Sequence, residues 1–405
     1  MPTHSPKTLT VTAQHRRAWL NQLKTVTALP TAAGCEESVI GFVDQWLAKR
    51  PMLECKIDGF GNRMIKRAGT RGRSPVFLTA HMDHPAFVVH AEDQDETNDG
   101  HTLSARFMGG VAPSYFVGTP VRLWRLKKDG SGYRRGPVGE VIQHEPGQDD
   151  RWWPRCQVRF DQHVRLTGIK TIMTWELGKP EVIDGIFHTP VCDDLAGLVA
   201  ALCAMDWALE LDPKCDVRLL LTRAEEVGLL GAIAAAKAGI VSKQAKLICL
   251  ETSKTLPHAP IAGGPIVRVG DRTGTFDRGL TMAVSKIAEQ LAAADSRFIY
   301  QRKLMDGGSC EATAFCAMGY QATCCCLPLG QYHNMCEQTG QIARESIAIS
   351  DFEGLVRLLT AVVLKKADPA NAVTLPSVQL PSQQIPSLDT RLLKLLEQRS
   401  KTVCP

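Results

Sequence analysis

Two adjacent carboxylates, Glu225 and Glu226, follow the short apolar run Asp216-Val217-Arg218-Leu219-Leu220-Leu221 and precede Ala-rich text of helical type. The run reads as a strand, so the pair sits where a strand ends and a helix begins. Ligands of open α/β sheets gather outside the carboxyl ends of strands. Four more residues hold comparable places. His81 directly follows Val76 to Ala80, and Asp193 precedes a helix. Glu251 directly follows Lys246 to Leu250, and His333 follows Ala322 to Leu327 after a loop. If the sheet is mostly parallel, His81, Asp193, Glu226, Glu251 and His333 converge on one edge. Two imidazoles and three carboxylates suit a pair of divalent metals, because a carboxylate can bridge two ions and imidazole suits Zn among other transition metals. Glu225 is left over, and a hydrolytic metal site needs a base for its water. Each residue also has a plainer role when taken singly. Acids load a helix N-terminus favourably, a lone loop His is commonly a surface residue, and Asp193 or Asp194 can cap the following helix. Asp194 is expected to be that cap. The shared position near strand ends and helix starts argues against so many separate coincidences.

The elements that must position these groups alternate strand and helix. Helices are expected over 13–29 and 36–49, then a hairpin from Glu54 to Asp58 and Arg63 to Lys66 around Gly59-Phe60-Gly61-Asn62. From about 96 to 188 the text becomes strand-like and Gly-rich, and holds Trp124, Trp152, Trp153 and Trp175. Such text predicts a small β-barrel or sandwich inserted into an α/β fold with a mixed, mostly parallel sheet flanked by helices. Residues 1–95 and 189–366 then form a discontinuous catalytic domain. The insert, 96–188, carries none of the candidate ligands and is expected to serve assembly rather than chemistry. Residues 367–405, rich in Pro, Ser and Gln, read as a linker and a short tail helix from Leu388 to Leu396.

Composition narrows the partners. Of 405 residues, 44% are hydrophobic and 22% charged, which describes an ordinary soluble globular chain. A net charge of +5 is small for this length and gives no sign of a nucleic-acid partner. No apolar run is long enough to span a bilayer, and the start shows no signal-peptide pattern. The 14 cysteines include no C-x-x-C pair. They read mostly as buried small hydrophobes, with Cys324-Cys325-Cys326 alternating between two sheet faces. A reducing, cytoplasmic location is expected.

His81-Met82-Asp83, Cys192-Asp193-Asp194-Leu195-Ala196-Gly197, Glu225-Glu226-Val227-Gly228-Leu229-Leu230-Gly231-Ala232, Leu250-Glu251 and Tyr332-His333 occur in the order used by the deblocking and glutamyl aminopeptidases. From about Trp19 to Leu364 the chain resembles that family. The resemblance implies a dinuclear-metal aminopeptidase, often a tetrahedral homo-oligomer, with a β-domain inserted between the His and Asp motifs. Residue by residue, it implies that His81, Asp193 and Glu251 hold one metal and that Asp193 bridges. Glu226 and His333 complete the second, and Glu225 is the general base. Asp83 is expected to accept the other ring N–H of His81 and so fix its tautomer. There are departures. His84-Pro85-Ala86 stands where the family usually has Glu and Gly. Gly307-Gly308-Ser309-Cys310-Glu311-Ala312 replaces Gly-Gly-Thr-Asp-Ala, and Glu251 replaces Asp while keeping a carboxylate. The first two alter the wall of the site and bear on substrate preference.

The expected activity is hydrolysis of the N-terminal peptide bond of peptides through a metal-bridging water. Two divalent ions per chain are implied, Zn first, with Co or Mn as alternatives. The expected partners are a peptide substrate and copies of the same chain. The rival activities are a related amidohydrolase (an N-acyl amino acid deacylase or a carboxypeptidase) and a non-catalytic scaffold that kept the fold. The two glutamates should fail differently. Glu225→Gln should keep parental metal content while turnover falls by at least ~10²–10⁴. Glu226→Gln should lose or loosen one metal and recover partly when metal is added in excess. Metal stoichiometry and turnover measured on both variants decide the roles; the opposite pattern would reverse them.

Overall fold

The computed structural model describes residues 9–72, 74–94, 100–147, 153–166 and 168–365. The tail helix expected from Leu388 to Leu396, and Trp152, lie outside them. An eight-stranded sheet forms the centre. Its strands run in the order Leu53–Ile57, Arg63–Arg67, Val217–Thr222, Val76–His81, Lys246–Lys254, Gln321–Leu329, Ile266–Asp271 and Gln301–Met305. The middle four, from Val217–Thr222 to Gln321–Leu329, are mutually parallel. Antiparallel pairing appears on either side of them. The sheet is thus mixed and parallel at its core, as the sequence predicts.

The parallel strands are apolar along most of their middles because both faces are covered. Every residue of Val76–His81 is buried. Leu78 and Ala80 face a core built with the helices Ala13–Val26, Glu37–Ala48, Leu195–Leu211, Arg278–Ala294 and Ile349–Leu364. Phe77 faces the opposite core, with Leu230–Ala238 and Glu311–Ala317. The three consecutive cysteines divide as expected: Cys325 joins the first core, and Cys324 and Cys326 the second. All described cysteines are free thiols and most are buried. Leu195–Leu211 is buried along almost its whole length, so it is apolar all round rather than on one stripe.

The insert is a closed antiparallel barrel. Its strands are Ala86–Val89, Thr102–Met108, Arg155–Phe160, Tyr133–Glu145, Pro120–Leu126 and Thr171–Trp175, in that order around the wall. Phe87, Phe107, Phe116 and Trp175 fill it, with ring centroids as close as 4.8 Å. Trp175 is therefore barrel core and not part of a surface patch. Trp124 and Trp153 are half-buried.

The hairpin loop Asp58 to Asn62 grips the glutamate turn. Asn62 Nδ2 donates to Asp58 Oδ2 at 2.7 Å and to the Gly231 carbonyl at 2.9 Å, while Asn62 Oδ1 accepts from Arg223 N at 3.1 Å. A side chain at Gly231 would come within 2.6 Å of Arg223 N and 2.8 Å of Asn62 Oδ1. Glycine there permits the close approach that packs the helix start against the turn carrying Glu225 and Glu226.

Candidate metal centre

His81 ends the strand Val76–His81. Glu251 lies within the strand Lys246–Lys254, which runs on past Leu250, the expected end. Glu225 and Glu226 follow the strand Val217–Thr222, and Asp193 lies just before the helix Leu195–Leu211. Because the strands are parallel, their carboxyl ends bring these side chains to one edge, where His333 joins them on a short turn. The five residues proposed from sequence as ligands meet in two donor groups. His81, Asp193 and Glu251 form one; Asp193, Glu226 and His333 form the other. Within each group the donor atoms lie within 4.8 Å of one another. His81 Nε2 is 3.4 Å from Asp193 Oδ1 and 3.8 Å from Glu251 Oε1. His333 Nε2 is 3.5 Å from Asp193 Oδ2 and 3.3 Å from Glu226 Oε1. Asp193 is common to both groups, one oxygen towards each imidazole. Glu225 Oε2 lies 4.0 Å from His81 Nε2, borders the same cleft, and with His81 and Glu226 makes a third group of equal closeness.

The electrostatics are extreme. Burial opposes charge on His81, yet Glu225, Asp193, Asp83 and Glu251 hold its pKa well above the usual imidazole range. His333 behaves alike beside Glu226 and Asp193. Burial would lift the Asp193 carboxyl, but the two imidazoles hold it well below the usual range. Burial pushes Glu225 and Glu251 well up, with neighbouring acids adding to the shift. The buried Asp193 Oδ1 and Glu226 Oε1 have no hydrogen-bond partner among the described residues. Buried anionic oxygens without donors are costly unless a cation meets them. The donor set therefore fits divalent metal ions.

Main-chain groups aim these side chains. Asp83 accepts Glu225 N at 2.9 Å on Oδ1 and Glu226 N at 3.0 Å on Oδ2. Its carboxylate is thus engaged by the glutamate turn. The nearest acceptor to His81 Nδ1 is the Asp83 main-chain carbonyl, at 3.2 Å, with the carboxylate at 3.6 Å. A proton on His81 Nδ1 would thus meet the Asp83 backbone before its carboxylate. Glu36 supports the turn from below, accepting Ala224 N at 3.0 Å and Arg223 Nε at 2.7 Å. Asp194 occupies the cap position of its helix, yet no side-chain cap bond forms and both its oxygens are unpartnered. Burial, first, holds its carboxyl well above the usual range. The peptide joining Asp193 to Asp194 is cis.

Several participants gave no sequence signal. Glu345 is fully buried; Oε2 accepts Cys192 N at 2.6 Å and Asp193 N at 3.0 Å, and Oε1 accepts His333 N at 2.9 Å. One carboxylate thereby ties together the chains bearing Asp193 and His333. Arg268 and Tyr332 form part of the cleft wall. Arg268 donates to Ser253 Oγ and to the Gly270, Met305 and Gly308 carbonyls, and pairs with no carboxylate among the described residues. Tyr332 stacks on His333 at 3.8 Å. Of the altered segment, Gly307, Gly308 and Ser309 reach the cleft. Glu311 instead lies behind it, with Oε2 3.2 Å from Thr79 Oγ1 and its pKa raised by burial to about 6.

A mixed sheet with its donors at the carboxyl ends of parallel strands, and a barrel inserted between the first and second ligand, defines an α/β metallopeptidase-like class. The sequence profile of the M42 glutamyl aminopeptidase family matches residues 61–341, and the chain belongs to that family. Solved structures share the fold. An aminopeptidase from the archaeon Desulfurococcus kamchatkensis is 20% identical, with 90% of this chain and 99% of that chain covered and a TM-score of 0.68. A TET aminopeptidase from a marine-sediment Thaumarchaeota archaeon is 16% identical, with 88% and 100% covered and a TM-score of 0.69. The TET1 peptidase of Pyrococcus horikoshii, described as assembling into a tetrahedron or a large octahedral shell, is 20% identical, with 86% and 99% covered and a TM-score of 0.67.

Glu345→Gln keeps one acceptor oxygen where the parent uses two. Metal affinity should fall by about 10–100-fold, the range for groups that orient ligands, while far-UV circular dichroism stays parental. Unchanged affinity would show that Glu345 serves the fold alone.

Proposed function

We propose that the chain is a dinuclear metal-dependent aminopeptidase that removes the first residue from peptides. The carrying observation is the sharing of Asp193 between two imidazole–carboxylate groups, each with an unpartnered buried oxygen. His81, Asp193 and Glu251 would hold one ion, and Asp193, Glu226 and His333 the other. Bound divalent cations, with Zn best suited to these donors and Co or Mn as alternatives, supply Lewis acidity and make a bound water acidic at neutral pH. Glu225 stands beside this set with its carboxylate on the cleft and its pKa raised by burial. In this reading it takes a proton from the attacking water and returns it to the leaving amine. The buried guanidinium of Arg268, hydrogen-bonded but facing no carboxylate partner among the described residues, favours an acidic group on the substrate in the cleft. The assemblies described for the Pyrococcus horikoshii peptidase support a homo-oligomer here, and the free cysteines support a reducing cytoplasm.

The test is a panel of aminoacyl-anilides and N-acyl amino acids, run on protein stripped by a chelator and reloaded with Zn, Co or Mn. Aminoacyl-anilides should be cleaved, with activity lost on stripping and regained on reloading. Cleavage of the N-acyl amino acids alone would make the chain an amidohydrolase. Full activity in metal-free protein would refute the dinuclear mechanism.

A further inference from the structure

The turn carrying His333 does not support itself. Gln331, His333 and Asn334 have φ of 53°, 52° and 64°, a left-handed region that costs non-glycine residues roughly 1–2 kcal/mol each. Glu345 accepts His333 N and the Pro190 carbonyl accepts Asn334 Nδ2, but His333, Asn334 and Met335 each also meet the root of the barrel. That root is made of His84-Pro85, which enters the strand Ala86–Val89, and Gly109-Gly110, which leaves the strand Thr102–Met108. The two strands pair Ala86 with Met108. The Gly110 carbonyl accepts from His333 Nδ1 at 2.6 Å. His84 Nε2 lies 3.0 Å from Asn334 Oδ1, and His84 Nδ1 lies 2.7 Å from the Asp193 carbonyl. Ala112 N donates to Met335 Sδ at 3.3 Å. Gly109 has φ of +134°, and a side chain there would meet Pro85 at 2.7–2.9 Å.

The hydrogen bond to Gly110 places the proton of His333 on Nδ1 and leaves Nε2 facing Asp193 and Glu226. His81 takes its equivalent partner from the Asp83 carbonyl, next to its own strand. One imidazole is therefore set by the sheet and the other by the inserted barrel. We propose that the barrel root is a positioning element of the metal centre. Gly109-Gly110 and His84 fix the tautomer and aim of His333, and so set how tightly the Asp193–Glu226–His333 group holds its ion. The insert then contributes to chemistry as well as to any assembly. This inference rests on His333 being a metal ligand.

The test is calorimetric titration of the metal-free full-length chain with Zn²⁺, comparing parent, Gly109→Ala and His84→Gln. A visible spectrum of the Co²⁺-loaded proteins reports ligand geometry independently of turnover. The parent should bind two ions in separable steps. In Gly109→Ala, one step should weaken by about 10–100-fold while the other keeps its affinity, and the Co²⁺ spectrum of one ion should change. His84→Gln, which loses its contacts to Asn334 and to the shared Asp193, should weaken that step more than the other, and it decides the matter if Gly109→Ala does not fold. Folded variants with two parental affinities would overturn the proposal. Equal weakening of both steps would also overturn it, by placing the effect in the general fold. A parent that binds no metal would overturn the functional proposal and this one together.

Discussion

Concentrating negative charge inside a protein is the constraint on which this structure turns. Asp83, Asp193, Asp194, Glu225, Glu251, Glu311 and Glu345 are all buried around or just behind one edge of the sheet. Two like charges 4 Å apart repel by about 4 kcal/mol even at an effective dielectric of 20. The fold answers this in two ways. Asp83, Glu345 and Glu36 spend their oxygens on main-chain N–H groups. Asp193 faces two imidazoles. Among the acid oxygens left without a hydrogen-bond partner in the described residues are Asp193 Oδ1, Glu226 Oε1, both of Asp194 and Glu311 Oε1; a cation at the candidate site would satisfy the first two.

The same interactions explain why the site sits on stiff supports. Three parallel strands deliver His81, Glu251 and the glutamate turn. The turn itself is pinned by Asn62 and Gly231 from one side and by Glu36 and Arg223 from another. Glu345 opens the strand Glu345–Ala348, which pairs with Ile186–Thr189 just upstream of Asp193. It therefore joins the two chain segments that supply Asp193, common to both donor groups, and His333. Groups this far apart in sequence hold their geometry because the supporting bonds go to backbone, which cannot change rotamer.

Much of this was legible in the sequence. The apolar runs before His81, Glu226 and Glu251 predict strands, the alternation at Cys324 to Cys326 predicts two-sided burial, and turn-rich text predicts the inserted β-domain. What stayed hidden has physical causes. The strand Ile266–Asp271 contains Arg268 and a bulge near Gly270, and the edge strand Gln301–Met305 begins Gln-Arg-Lys, so neither shows an apolar run. The barrel's first strand, Ala86–Val89, begins before the composition changes. Glu345 looks like any acid at a strand start, because its three N–H donors come from residues 12 to 153 positions away. Asp83 was singled out for its spacing from His81, but spacing cannot tell a carboxylate contact from a backbone one. Asp194 shows the converse: its cap-type residue and position are right, yet its carboxylate makes no cap bond.

If cations balance the buried carboxylates, they must stabilise the folded chain. The direct measurement is the thermal unfolding midpoint of metal-free protein against added Zn²⁺, for the parent and for Asp193→Asn. A ligand that binds only the folded state adds about 2.7 kcal/mol at a hundred times its Kd. The parent midpoint should therefore climb steadily with metal concentration, and the climb should be largely lost in Asp193→Asn. A parent midpoint that ignores Zn²⁺, or an equal climb in Asp193→Asn, would contradict the account.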